Sequence, residues 1–119
     1  MILVDTSVWI DHLRTGDEEL TALLNNTQVL IHPFVVGELA CGNLIDREVV
    51  LKLLQALPQV PVASDSEVLF FIEQHRLMGC GIGYIDTHLL ASTALAGSTK
   101  LWTRDKNLAK VSTKLILAH

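Results

Sequence analysis

Two aspartates of this chain follow short apolar runs, at positions where an acidic side chain is unusual. Asp5 comes directly after Ile2–Val4, which is continuously apolar and therefore predicts a strand buried on both faces. Asp105 follows a second predicted strand at residues 100–103. Because the carboxyl ends of parallel strands border the ligand crevice of an α/β sheet, we expect both carboxylates to face one cleft.

Two further acids lie beside apolar helical segments. Glu38 belongs to a predicted helix that is otherwise built of apolar residues, which places its carboxylate at the boundary of the core. Asp86 stands in the first turn of another apolar helix, behind a glycine-rich loop at residues 79–83 where the backbone can approach closely. These positions allow all four carboxylates to converge.

Converging carboxylates predict a bound cation. Ionised carboxylates without a countercharge repel one another, and they either take up a proton or bind a cation. Oxygen ligands without sulfur favour Mg²⁺ or Mn²⁺ over zinc. Such an ion promotes ionisation of water and stabilises the negative charge of in-line attack on a phosphodiester. The pattern therefore predicts hydrolysis of a phosphate ester, with metal-ligating and catalytic roles for Asp5, Glu38, Asp86 and Asp105.

Each acid also has a structural interpretation. Asp5 can cap the helix that follows it, although a neighbouring hydroxyl can provide the same cap. Glu38 can reach solvent from the edge of its helix. Asp86 and Asp105 can stabilise the positive ends of their helices. Only the joint occurrence of the four acids favours a site.

Strand and helix signals alternate along the chain and position these acids. Predicted strands lie at residues 2–4, 27–31, 59–63, 100–103 and 115–117, with Pro61 confining the third to a sheet edge. The first predicted helix begins at Thr6 or Ser7 and ends at Gly16, and another begins at Pro33 and passes through residue 39. The other predicted helices cover residues 17–24, 46–57, 64–78, 84–97 and 105–110. The alternation predicts one α/β domain over residues 1–119, a three-layer α/β/α sandwich with a mostly parallel central sheet.

Composition excludes several classes of protein. The chain has 119 residues, of which half are hydrophobic and only 18% are charged, so it is neither a disordered chain nor a collagen-like polymer. It contains no apolar run long enough to span a bilayer and begins without the features of a secretory signal. Cys41 and Cys80 lie far apart without a C-x-x-C pattern. We therefore expect a soluble, cytoplasmic domain with free thiols.

Four ordered motifs carry a resemblance that spans nearly the whole chain. They are Val4-Asp5-Thr6-Ser7, Val36-Gly37-Glu38-Leu39, Tyr84-Ile85-Asp86 and Thr103-Arg104-Asp105-Lys106-Asn107. Each motif is weak alone, but the ordered set at these spacings is fairly specific. The set resembles the PIN-domain nucleases, and most closely the toxin component of the VapBC (VapC) toxin–antitoxin systems.

The resemblance implies a Mg²⁺- or Mn²⁺-dependent endoribonuclease that is usually a homodimer. Its RNase activity would be silenced by a small antitoxin protein that places a C-terminal segment in the acidic cleft. The implied fold is a PIN-like, Rossmann-like sheet whose strands one and four are adjacent, which would bring Asp5 and Asp105 together. The four acids would form the metal site, and the hydroxyls of Thr6, Ser7 and Thr103 would support the metal or a neighbouring acid.

Other side chains contribute to this interpretation more weakly. Arg104 and Lys106 belong to a locally basic C-terminal fifth of the chain and are candidate RNA contacts in a net-acidic protein. The five histidines show no zinc-binding spacing, and we expect most of them to lie at the surface. His88 follows Asp86 by two residues and would project around the helix from the cleft, so we assign it no role. Trp9 and Trp102 invite a base-stacking interpretation, but packing in or near the core is the expectation for both.

Two alternative functions remain open at this point. A non-catalytic α/β interaction module acting through a protein partner would also explain the high hydrophobic fraction. A phosphatase with Asp5 as nucleophile would need a second acid two residues later, where this chain has Ser7. Divalent-ion binding distinguishes the nuclease from the interaction module.

Overall fold

Three parallel strands form the centre of the computed structural model, which describes residues 1–119. Strand β1 lies between the other two, in the order β2-β1-β3, so the expected pairing of the opening strand with the strand before Asp105 is confirmed. The register places Leu3 opposite Leu30 and Leu101. The strands are β1 (Ile2–Val4), β2 (Val29–Leu30) and β3 (Lys100–Trp102).

Seven helices surround this sheet and confirm the predicted α/β/α architecture. Helix α3 packs against α1 and α4, while α6 packs against α5 and β3. None of the seven has the length and apolar character needed to cross a membrane. The helices are α1 (Thr6–Thr15), α2 (Glu18–Asn25), α3 (Pro33–Ala40), α4 (Arg47–Gln55), α5 (Asp65–His75), α6 (Tyr84–Leu95) and α7 (Lys106–Lys114).

The core is built on the strands and on α6. Leu3, Val4 and Leu101 are fully or almost fully buried, as the continuous apolar runs predicted. Helix α6 is buried along most of its length and includes Leu89 and Leu90, which have no exposed surface. Truncating one such leucine to alanine costs about 2–5 kcal/mol of unfolding free energy. Asp5 and Asp86, at the ends of β1 and α6, are therefore attached directly to the buried core.

Helix starts follow the local sequence signals, with one correction. Ser64 and Glu67 form the expected capping box of α5. Pro33 occupies the first turn of α3, as predicted. The cap of α1, however, is Asp5 and not the hydroxyl of Thr6 or Ser7, because the helix begins directly after the strand.

Two predicted strands are reduced to single bridges at the sheet edges. At the segment 59–63 only Gln59 pairs, with Ile31, consistent with the missing backbone donor of Pro61. The predicted strand at 115–117 is wrong: α7 continues to Lys114, the backbone turns, and Ala118 makes the one parallel bridge there. Helix α7 is correspondingly longer than the predicted 105–110.

Candidate functional site

Asp5 is the buried centre of the candidate site. Its side chain lies at the carboxyl end of β1 with only 5% of its surface exposed. The carboxylate oxygen Oδ2 accepts hydrogen bonds from Ser7 Oγ at 2.7 Å and from Thr103 Oγ1 at 2.8 Å, and more weakly from the Ser7 backbone N–H at 3.4 Å. These donors compensate the desolvation of a buried charge. Asp5 therefore caps α1 and lies, buried, where β1 ends.

Glu38 is tied to the same region by a hydroxyl from the first turn of α1. Thr6 Oγ1 donates a hydrogen bond to Glu38 Oε1 at 2.7 Å, across the contact between α1 and α3. Glu38 itself is exposed. Its neighbours on α3, Val35 and Leu39, are buried, so the helix is anchored while the carboxylate remains free at the surface.

Asp105 begins α7 and shares a hydroxyl with Asp5. Its Oδ1 accepts a hydrogen bond from the Leu108 N–H at 2.9 Å, which makes it the cap of α7. Its own N–H donates to Thr103 Oγ1 at 3.1 Å. Thr103 therefore donates to one acid through its hydroxyl and accepts from the backbone of the other. Thr6, Ser7 and Thr103 each donate a hydrogen bond to an acid, and their supporting role in a metal site stays a prediction.

Asp86 couples electrostatically to the other three acids. It lies in the first turn of α6 and accepts a 3.3 Å hydrogen bond from the Gly83 N–H. Burial raises the pKa of Asp86 above its ordinary value, and the negative charges of Asp5, Asp105 and Glu38 raise it further, against the opposing effect of the Gly83 hydrogen bond. The other three carboxylates thus act on Asp86 through their negative charges.

The carboxylates do not form a closed set of ligands. No group of three or more His, Cys, Asp or Glu side chains in the chain is placed to hold a metal ion. No Lys, Arg or His side chain forms an ion pair with any of the four acids. The four carboxylates therefore have no paired basic side chain, and their role as a ligand set stays a prediction.

The two candidate RNA contacts differ in their surroundings. Arg104 donates through its guanidinium to Asp11 Oδ2 at 2.6 Å and to Asp17 Oδ2, and both hydrogen bonds raise the pKa of Arg104. The Leu20 N–H and Arg104 together lower the pKa of the Asp17 carboxyl. Lys106 is exposed at the start of α7, next to Asp105, and forms no ion pair.

The sequence interpretation overlooked a side chain that holds the loop before Asp86. Asn107 Nδ2 donates a 3.1 Å hydrogen bond to the Gly81 carbonyl, which ties α7 to that loop. Gly81 has a φ of +77°, and a Cβ there would lie 2.7 Å from Asn107 Nδ2. Asn107 was part of the motif that contains Asp105, but only the folded chain shows which loop it contacts.

Two histidines correct the expectation of a surface location. His32 and His88 are buried, with 0% and 2% of their surface exposed. Burial lowers the pKa of His32 to about 4, with a further lowering from the charge of His88. His88 Nε2 lies 3.2 Å from Asp65 Oδ1, so its polar partner is none of the four acids. Trp9 is buried, which confirms core packing for that residue.

Comparison with known proteins defines the class to which this fold and site correspond. A family model described as the PIN domain matches residues 2–114, so the chain belongs to the PIN-domain family. Two similar curated proteins are both called Ribonuclease VapC32, from the CDC 1551 / Oshkosh and the ATCC 25618 / H37Rv strains of Mycobacterium tuberculosis. Each is 52% identical over 108 residues, which cover 91% of this chain and 87% of the relative. The predicted family is therefore confirmed, and the chain is VapC-like.

Proposed function

We propose that this chain is a Mg²⁺- or Mn²⁺-dependent endoribonuclease and the toxin component of a type II toxin–antitoxin system. The observation that supports this most is the negative charge gathered around Asp86. Burial raises the pKa of Asp86, the charges of Asp5, Asp105 and Glu38 raise it further, and no basic side chain pairs with any of the four acids. A divalent cation relieves this repulsion. The family and the ribonuclease relatives supply the reaction class.

The chemistry of the donor groups suits a hard divalent ion. Their side chains offer carboxylate oxygens, with hydroxyls that donate to two of the carboxylates, Asp5 and Glu38, and no sulfur or imidazole among them. Asp5, Glu38, Asp86 and Asp105 would hold the ion. When bound, such an ion stabilises the charge that develops on a phosphodiester and promotes ionisation of the attacking water.

The protein's own side chains hold two of the acids in fixed positions. Ser7 and Thr103 fix Asp5 Oδ2 from two sides, while Thr6 orients Glu38. Because these hydroxyls donate to the carboxylate oxygens, they hold in place the oxygens that would ligate a cation. During hydrolysis, water attacks phosphorus, the bond to the leaving oxygen breaks, and the leaving oxygen takes up a proton.

Lys106 is the proposed RNA contact on the rim of the cleft. It is exposed, unpaired and adjacent to Asp105. The chain carries a formal charge of −4, so a phosphate backbone needs local positive charge to approach the acids. Lys106 supplies that charge at the start of α7.

Two apolar surfaces support the proposed protein partners. A groove of about 660 Å³ is lined by Ile10, Leu39 and Ile45 and includes Glu38, so an antitoxin segment bound there would contact that acid. The face formed by α5 and α6 exposes Phe70 and Leu95, which a second copy of the chain would cover in a homodimer. Gel filtration of the chain alone and with its antitoxin tests both assemblies.

Cleavage of RNA with matched charge variants tests the proposed function. The wild-type chain should cut a mixed-sequence RNA with Mg²⁺ or Mn²⁺ and stop on addition of EDTA. Asp5→Asn should be inactive, because the amide neither ligates a cation as strongly nor carries charge. Asp46→Asn is the control, since Asp46 is exposed, makes no capping hydrogen bond and has a left-handed backbone that asparagine also adopts.

The same experiment distinguishes the ribonuclease from the alternative, a non-catalytic interaction module. A wild-type chain that binds its partner yet neither cleaves RNA nor binds divalent ions would support that alternative. Full activity of Asp5→Asn would contradict the mechanism in which Asp5 is a ligand.

A further inference from the structure

Arg104 connects the carboxyl end of β3 to two helices. Its guanidinium donates to Asp11 on α1 at 2.6 Å and to Asp17, the cap of α2. The same group lies 5.5 Å above the ring of Trp102, the last residue of β3. Two carboxylates and one aromatic ring therefore hold a single side chain, which fixes the loop between β3 and α7 against α1 and α2.

The backbone of Arg104 contacts the candidate site through Ser7. The Arg104 N–H donates a 2.9 Å hydrogen bond to Ser7 Oγ, and Ser7 Oγ donates in turn to Asp5 Oδ2 at 2.7 Å. Because Ser7 Oγ accepts the hydrogen bond from the Arg104 N–H, its single hydroxyl proton is free to point toward Asp5. A displacement of Arg104 would therefore change the position or the orientation of the hydroxyl that holds Asp5.

We propose that Arg104 is a positioning residue for RNA cleavage, and that Asp11 and Asp17 are the residues that hold it. The inference rests on the proposed ribonuclease function. It replaces the interpretation of Arg104 as an RNA contact, because two carboxylates already neutralise the guanidinium and each terminal nitrogen of that group donates to one of them. The side chain of Asp17 is 17% exposed and that of Asp11 is 50% exposed, so the contact to Asp17 is the better shielded of the two.

Variants that remove the charge of Asp11 or of Asp17 distinguish a positioning role of Arg104 from a direct contact with RNA. Asp17→Asn keeps an oxygen that can accept from the Leu20 N–H, and so preserves the helix cap while removing the charge. If Arg104 positions Ser7, this variant and Asp11→Asn lower kcat with an unchanged KM. If Arg104 instead contacted phosphate, freeing it would lower KM and leave kcat intact. That second result would overturn the proposal.

Substitution of Arg104 itself provides the second measurement. Lys cannot bridge two carboxylates with a planar fork, so Arg104→Lys should lower kcat by about 10–100-fold, as loss of a supporting contact at a metal site does. Arg76→Lys is the control, since Arg76 is exposed and forms no ion pair. Circular dichroism before each assay confirms that the variants are folded, and Asp11→Asn provides the test if Arg104→Lys does not fold.

A double-variant cycle tests whether Arg104 acts through Ser7. Ser7→Ala should lower kcat, and adding Arg104→Lys should lower kcat no further, because the hydroxyl through which Arg104 acts on Asp5 is already absent. Additive losses would overturn the proposal. If the wild-type chain itself does not cleave a mixed-sequence RNA with Mn²⁺, the ribonuclease function fails. If the wild type cleaves and all the Arg104, Asp11 and Asp17 variants match it, only the positioning role fails.

Discussion

Thr103 Oγ1 donates a 2.8 Å hydrogen bond to Asp5 Oδ2, joining two residues that lie 98 positions apart in the sequence. The contact exists because β1 and β3 are parallel neighbours whose carboxyl ends meet at one edge of the sheet. Thr103 Oγ1 also accepts from the Asp105 N–H. One hydroxyl therefore sets the spacing between the acids that follow the two strands.

Removing this hydroxyl should reduce activity more than it affects the fold. Thr103→Val keeps the shape of the side chain but removes two hydrogen bonds, the one that Asp5 Oδ2 accepts and the one that the Asp105 N–H donates. We expect an about 10–100-fold loss of RNA cleavage and about 1–3 kcal/mol lower unfolding free energy. Cleavage assays and urea unfolding measure the two effects. Thr103→Ser, which retains the hydroxyl, should stay close to wild type, and equal losses in both variants would contradict the role of the hydroxyl.

The negative charges of the other acids predict how Asp86 titrates. Its pKa lies above the ordinary value because of burial, with a further contribution from Glu38 and the other acids. Glu38→Gln removes one negative charge without removing the side chain, so the pKa of Asp86 should fall. Carboxyl NMR titration without divalent ions measures it. Glu73→Gln on the exposed side of α5 is the control, and no fall in the Glu38 variant would show that these acids do not interact.

The sequence predicted the positions of the acids better than their contacts. Continuous apolar runs identified the strands that precede Asp5 and Asp105: Asp5 follows β1 directly, and Asp105 follows the end of β3 after Thr103 and Arg104. The same pattern could not show that Arg104 would turn toward Asp11, because that pairing depends on how α1 meets the loop after β3. The predicted strand at 115–117 failed because a short apolar run also suits a turn packed on the sheet.

The buried imidazole of His32 predicts a loss of stability in mild acid. Its pKa is about 4 in the folded chain and 6.5 ordinarily, so the unfolded chain binds more protons between those values. The stability that neutral His32 contributes is therefore fully present above pH 6.5 and is lost as the pH falls toward 4. At pH 5 the free energy of unfolding should be lower by about 2 kcal/mol. Urea unfolding at pH 7.5 and 5 measures this change.

His32→Asn provides the comparison, because asparagine can cap α3 but does not titrate. The difference in unfolding free energy between the two pH values should be about 2 kcal/mol smaller in this variant than in the wild type. An equal difference in both proteins would show that His32 takes up its proton equally in the folded and unfolded chains.

The loop before Asp86 requires glycine at one position for two reasons. Gly81 and Gly79 both have left-handed backbones, with φ of +77° and +72°. Only at Gly81 would a Cβ collide with another residue, Asn107. Gly79→Ala should therefore cost about 1 kcal/mol of unfolding free energy for its backbone alone, and Gly81→Ala should cost more. Thermal unfolding measures both, and equal costs would mean that Asn107 moves aside freely.

Calorimetric titration with Mn²⁺ tests the central claim that the four acids together bind a divalent cation. The wild-type chain and the Asp46→Asn control should bind Mn²⁺ with equal affinity, while Asp5→Asn and Asp86→Asn should each bind it much more weakly. Because no RNA is present, the result is independent of substrate. Absence of Mn²⁺ binding by the wild type, or unchanged binding by both site variants, would contradict the account.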